Sequence, residues 1–240
     1  MGEAPAAEEV SPETPGARAS RAAPAVRVRG LVKRYGSTAA LDGASLEVPP
    51  GEAFGLVGAN GAGKTTLLKC LLDLCAFDAG AIEIFGIPAA RPSARARLAY
   101  VPERFVPPHY LRGGEFIDMI LQLGGARPSG GPAGRGRTAR ADPDRVAAML
   151  DALELERAVL ERPVRRLSKG MTQKLGLAAS FLLERDLYVL DEPMSGLDPA
   201  ARVAVKSVLQ RLRAGGRTLF FTSHVLADVE ELCTAMAVLH

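Results

Sequence analysis

The chain has 240 residues, 48% hydrophobic and 24% charged, the balance of an ordinary globular protein with room for one sizeable domain. Its formal net charge of +3 is too small to argue for a nucleic-acid or lipid partner. The longest apolar stretches, such as residues 175–183, fall far below the ~20 residues of a membrane helix, so the chain is not expected to span a bilayer.

Residues 1–24 are rich in Ala, Pro and Glu and poor in large apolar side chains, which predicts a disordered tail. They lack the basic start and apolar centre of an export signal. A single domain is expected over 25–240. Residues 28–32 and 41–48 read as strands of an early β-lobe. Tyr35 lies between them, either as simple core or as an aromatic platform for a ligand ring.

Residues 53–57 (Ala-Phe-Gly-Leu-Val) read as a buried strand. Then comes Gly58-Ala59-Asn60-Gly61-Ala62-Gly63-Lys64-Thr65-Thr66, followed by a helix start at Leu67 and Leu68. This is the G-x-x-x-x-G-K-[ST] pattern in the strand–loop–helix setting that it needs. Glycines let successive N–H groups turn inward as an anion nest, and the helix N-terminus adds favourable partial charge. Lys64 would reach the β- and γ-phosphates of a nucleoside triphosphate, and the Thr65 hydroxyl would ligate Mg²⁺.

Three cysteines, Cys70, Cys75 and Cys233, have no metal-ligand spacing and read as reduced thiols in apolar helical settings, which suits the cytosol. Tyr100-Val101-Pro102-Glu103 follows. A helical insertion is expected over about 103–183, interrupted by a Gly/Arg/Pro-rich segment, 124–141, that reads as a flexible loop. Within the insertion, Phe116, Ile120 and Leu123 recur at helical spacing. So do Val146, Met149, Leu150 and Leu153, behind Asp142 as cap and Pro143 at the first helical position.

Leu167-Ser168-Lys169-Gly170-Met171-Thr172-Gln173 precedes another helix, for which Ser168 is an ordinary N-cap. Leu187-Tyr188-Val189-Leu190 is an apolar strand ending in Asp191-Glu192, at the end where ligands collect in a parallel sheet. Asp191 suits the Mg²⁺ shell, and Glu192 suits a base for in-line attack by water. Met194-Ser195-Gly196-Leu197-Asp198 leads into Pro199, so Asp198 can cap a helix whether or not it does more. That helix puts Val205, Val208, Leu209 and Leu212 on one face and stops at Gly215-Gly216. Strand 218–222 comes next and closes on Thr222-Ser223-His224; His224 alone is also consistent with a plain strand-end residue.

In order and approximate spacing, these stretches resemble the ATP-binding cassette (ABC) ATPases, from about residue 26 to 240. Gly58–Thr66 corresponds to the phosphate loop and Asp191-Glu192 to the second nucleotide motif. Leu167–Gln173 resembles the signature sequence, Met194–Asp198 the D-loop, His224 the switch histidine, Glu103 the Q-loop position and Tyr35 the adenine-facing aromatic. The Ser-Lys-Gly-Met signature and Val-Pro-Glu stretch look most like ATPases of ABC-2 type exporters. The resemblance implies an α/β fold: a P-loop NTPase core with an N-terminal antiparallel β-lobe and an inserted helical subdomain. It implies ATP and Mg²⁺ as cofactors, with Glu192, His224 and Lys64 as catalytic groups. It further implies nucleotide contacts from Tyr35, Gly58, Asn60, Gly61, Ala62, Gly63, Lys64, Thr65, Thr66 and Glu103, and across a dimer from Ser168, Gly170 and Asp198. Thr65, Asp191 and Glu103 would face the metal.

The implied partners are a second ABC ATPase subunit, with a homodimer expected, and a separate polytopic membrane permease; no nucleic acid is expected. The implied location is the cytoplasmic face of the cell membrane. Three departures stand out: Glu103 replaces the usual glutamine, Lys169 replaces the first glycine of the signature pair, and the chain stops at His240 where the family continues. A soluble nucleic-acid-linked ABC ATPase, with contacts from residues 127–140, and a non-hydrolysing regulatory subunit are the other classes weighed. Against the first stand the single cassette and the short insertion; against the second stand Glu192 and His224 together.

Overall fold

The computed structural model describes residues 23–125 and 141–240, so the expected tail up to residue 22 and residues 126–140 of the Gly/Arg/Pro segment lie outside the described residues. Strands β1 (Val26–Tyr35) and β2 (Thr38–Val48) pair antiparallel, and β3 (Ala53–Gly58) runs into helix α1 (Lys64–Leu71). Then come β4 (Ala79–Ile84), β5 (Ile87–Pro88), the short α2 (Pro92–Arg95) and β6 (Leu98–Val101). Helices α3 (Gly113–Leu123) and α4 (Pro143–Ala152), two 3₁₀ turns and α5 (Lys169–Phe181) separate β6 from β7 (Leu187–Leu190). Helix α6 (Pro199–Ala214), β8 (Thr218–Ser223), α7 (Leu226–Leu232) and β9 (Ala235–Leu239) follow.

Two sheets result. One is antiparallel, in the order β2-β1-β4-β5; the other is wholly parallel, in the order β6-β7-β8-β3-β9. Together they are the α/β core and the antiparallel N-terminal lobe expected from the sequence. Strands buried on both faces need continuous apolar runs, and every residue of β7 and β8 is buried. One core cluster joins the antiparallel lobe to α1 through Leu31, Leu67, Leu71 and Ile84. A second runs from the parallel sheet into the helices between β6 and β7, where Phe105 meets Phe116 edge to face at 5.4 Å.

Two local expectations are corrected. Helix α3 buries Phe116, Ile117 and Leu121, while Leu123 is 78% exposed, so its inward face is rotated from the spacing read in the sequence. Cys75 lies beyond α1 rather than in it, because Asp73 takes φ 58 and turns the chain. The caps hold: Asp142 accepts from the Asp144 N–H, Ser168 from Met171 N–H at 3.2 Å and Asp198 from Ala201 N–H at 2.8 Å.

Candidate functional site

The loop between β3 and α1 needs its glycines for space. A Cβ on Gly63, at φ 96, would sit 2.4 Å from the Ala40 carbonyl oxygen, and one on Gly58 would sit 2.5 Å from that of Leu239. The backbone therefore approaches its neighbours more closely than any larger residue permits. Gly63 caps α1 without a side-chain hydrogen bond, which leaves the first N–H groups of the helix turned toward the loop. Lys64 is buried and donates to the carbonyls of Gly58 at 2.7 Å and Ala59 at 3.2 Å.

Parallel pairing of β7 with β8 builds the acidic side. Leu190 lies opposite Phe221, so the residues that follow on each strand meet. The Thr222 hydroxyl donates to Asp191 Oδ1 at 2.6 Å, and the Glu192 N–H donates to that same hydroxyl at 2.9 Å. Thr65 in turn donates to Asp191 Oδ2 at 3.0 Å, joining the two motifs. Glu192 is 8% exposed and takes φ 47, a left-handed conformation that a non-glycine residue holds at some strain. One of its oxygens lies 2.8 Å from His224 Nδ1. The other, Oε1, is buried without a hydrogen-bond partner, 3.8 Å from Lys64 Nζ.

These groups surround a cavity of about 330 Å³ lined by Asn60, Gly61, Gly63, Lys64, Thr65, Thr66, Glu103, Glu192 and His224. Residues far apart in the chain are thus brought to one hollow. Beside the hollow, burial pushes the Tyr100 phenol up to about 12, with the charges of Asp191 and then Glu103 adding to the rise. Tyr35 is 51% exposed, so the simple-core reading does not hold; its hydroxyl lies 3.3 Å from Cys75 Sγ. Ser168, Gly170 and Asp198 do not line this cavity.

Two residues were missed. Thr222 was read only as part of a strand end, although it holds the Asp191 carboxylate and the Glu192 backbone N–H. Gln173 is buried and donates to the Pro193 carbonyl at 3.4 Å, tying α5 to the turn after Glu192. A buried polar residue in an apolar helix was the available signal for Gln173.

The hollow fits a triphosphate: uncapped helix N–H groups, a buried ammonium and glycine-lined space suit an anion. Among the described residues, no group of three His, Cys, Asp or Glu is placed to hold a metal by itself. An Mg²⁺ ion keeps waters and binds through one or two carboxylates together with substrate phosphates. Thr65, Asp191 and Glu103 are the groups that would face it.

Residues 41–195 match the family model described as ABC transporter. An uncharacterised ABC transporter ATP-binding protein of Synechocystis is 38% identical over 81% of this chain and 52% of its own length. The Nod factor export ATP-binding protein I of Ralstonia nicotianae is 38% identical over 90% of this chain and 64% of its own. The chain thus spans about half the length of the first of these relatives. A solved structure titled as the ATP-binding subunit of an ABC transporter superposes with a TM-score of 0.79 at 31% identity, covering 90% of this chain and 85% of that one. A dimeric bacterial ABC transporter cassette shares the fold, with a TM-score of 0.76 at 21% identity over 89% of this chain and 94% of its own. A family match over well more than half of the chain, on the fold that such subunits share, makes this protein a member of the ABC transporter family of ATP-binding proteins.

Proposed function

We propose that the chain binds Mg·ATP in the hollow between α1 and the Asp191-Glu192 turn, hydrolyses it as one half of a dimer, and drives a separate membrane subunit of an export system. The observation that carries hydrolysis is the buried Glu192 Oε1, which has no protein donor while its partner oxygen is held by His224. A carboxylate held in this way can accept a proton from a water beside the γ-phosphate.

Each residue has one task in this reading. The loop N–H groups and Lys64 bind the phosphates; Lys64 leaves the Gly58 and Ala59 carbonyls for them. Thr65, Asp191 and Glu103 face Mg²⁺, which when bound neutralises charge on the phosphate oxygens. Glu192 takes the proton and His224 orients Glu192. Tyr35 flanks the adenine. Ser168, Gly170 and Asp198 lie outside the cavity, so they reach a nucleotide only from a second cassette. Closure of two cassettes would exclude water and strengthen every interaction around the phosphates.

Among the described residues no helix is long and apolar enough to cross a membrane; in this reading transport runs through a separate permease, with this subunit on its cytoplasmic face. The export direction rests on the exporter-like motifs and on relatives named for Nod factor export. Glu192→Gln keeps size and hydrogen bonding but removes the base. It should lower turnover by about 10²-fold or more while ATP affinity stays within a few-fold. Near wild-type hydrolysis by the purified variant, with its partner present, would exclude Glu192 as the base.

A further inference from the structure

The lysine that opens α5 reaches the turn that follows Glu192. Lys169 is the first residue of that helix, behind the Ser168 cap, where the positive end of a helix disfavours a cation. Among the described residues its ammonium has neither an ion pair nor a hydrogen bond. The side chain instead crosses Gly196: a Cβ added there would stand 3.1 Å from Lys169 Cε and Nζ and 3.5 Å from Cδ. Gly196 is exposed and takes φ 73, so the lysine stem covers a face of the turn that solvent would otherwise meet. The opposite face is anchored, since Met194 and Leu197 are buried in the core. One helical turn on from Lys169, Gln173 donates to the Pro193 carbonyl at 3.4 Å. Helix α5 thus holds the turn at two points, Pro193 and Gly196.

That turn carries Glu192. Ser195 N–H donates to the Glu192 carbonyl at 2.9 Å, and Leu197 N–H donates to that of Met194 at 3.3 Å. A non-glycine residue keeps a left-handed conformation only where its surroundings over-determine it. For Glu192 at φ 47 these are the Thr222 hydroxyl, which accepts its N–H, and the turn, which holds its carbonyl. We propose that Lys169 is a positioning residue for hydrolysis: by lying across Gly196 it keeps the turn on α5 and Glu192 aimed at the phosphate hollow. The proposal rests on the reading of Glu192 as the base. The stem carries the effect, not the charge. Without it, Gln173 alone ties the turn to α5, and Glu192 relaxes out of its strained conformation and away from His224. Nucleotide binding, which belongs to the loop at Gly58–Thr66, is left as it was.

The full chain, with its partner subunit present, would be assayed for ATP hydrolysis and titrated calorimetrically with ATP. Lys169→Ala removes the stem and should lower kcat about three- to tenfold with KM within about twofold, as when a catalytic group loses alignment without leaving its site. Lys169→Met keeps an unbranched stem without the charge and should retain at least about half of the wild-type kcat. Gly196→Ala lifts the lysine off the turn and adds backbone strain of its own, so the informative variant is the double one. In the Gly196→Ala background, Lys169→Ala should cost less than about twofold further, because the contact is already gone. Full kcat in Lys169→Ala would overturn the proposal, as would a raised KM with kcat unchanged. Lys169→Met as slow as Lys169→Ala would show that the charge acts, and additive losses in the double variant would show that the two residues do not act through each other; either sinks it. Normal hydrolysis by Glu192→Gln would remove the base reading instead. The coupling between positions 169 and 196 would still decide whether the stem holds the turn.

Discussion

The Thr222 hydroxyl donates to Asp191 and accepts from the Glu192 amide, so a single oxygen fixes both members of the carboxylate pair. Thr222→Val keeps the shape and leaves the Glu192 N–H buried without an acceptor. Stability should fall by about 1–3 kcal/mol, read from the denaturant midpoint, and turnover should fall further than ATP affinity. Unchanged stability and turnover would remove Thr222 from the site. Glu103 carries a separate expectation. At about 4 Å and an effective dielectric near 20, repulsion of the γ-phosphate has a raw size of about 4 kcal/mol, most of it screened by metal and water. Glu103→Gln should therefore bind ATP more tightly at low Mg²⁺, with the gain vanishing at saturation. Superimposed titrations at every Mg²⁺ concentration would place Glu103 outside the metal shell. Local motifs made Gly58–Thr66, Asp191-Glu192 and His224 visible in the sequence, because each is a short string with its own chemistry. Thr222 was not visible, because its role exists only once β8 lies beside β7. Nor could the sequence tell that Glu192 would sit at φ 47.

Between α6 and α7 the chain places a charge cluster that no short motif announces. Asp228, 4% exposed, pairs with Arg202 and lies 3.1 Å from Lys206, which also meets Glu231 at the surface. Since α7 begins just after His224, this cluster fixes the helix that follows that residue. Asp228→Ala removes the buried carboxylate that Arg202 and Lys206 share and should cost about 1.5–3 kcal/mol, with an unchanged denaturant slope. Glu231→Gln, at the exposed rim, should cost under about 1 kcal/mol. Equal losses for the two would contradict the burial argument. Element types were legible wherever period and caps agreed, as at Asp142-Pro143 and Asp198-Pro199. The inward face of α3 was not: Ile117 and Leu121 are turned inward by packing against neighbouring helices, and periodicity alone cannot rank Ile117 above Leu123.

At the scale of the whole molecule, the signature residues stand apart from the phosphate hollow, and assembly is the means that would bring them to one. ATP should shift Glu192→Gln from monomer to dimer in light scattering, since binding persists while hydrolysis stops. Adding Ser168→Arg should prevent the shift by crowding the facing phosphate. A dimer indifferent to both ATP and Ser168→Arg would remove the sandwich arrangement, once a requirement for a different second subunit has been excluded.

The sheet order has a consequence for how the protein is made. Strand β3, which carries the phosphate loop, is flanked by β8 and β9: Ala53 pairs with Leu219, and Phe54 with both Phe220 and Ala235. At roughly 5–20 residues per second, β3 leaves the ribosome on the order of ten seconds before either neighbour has been synthesised. In that interval both its edges are open, and the loop lacks the Leu239 carbonyl against which Gly58 is fitted. Parallel pairing across so long a separation is slow to close, so the loop is among the last parts to take shape. A nucleotide bound in the proposed way would then be held only by chains that already carry β8 and β9, and by mass action it would stabilise those over nascent ones.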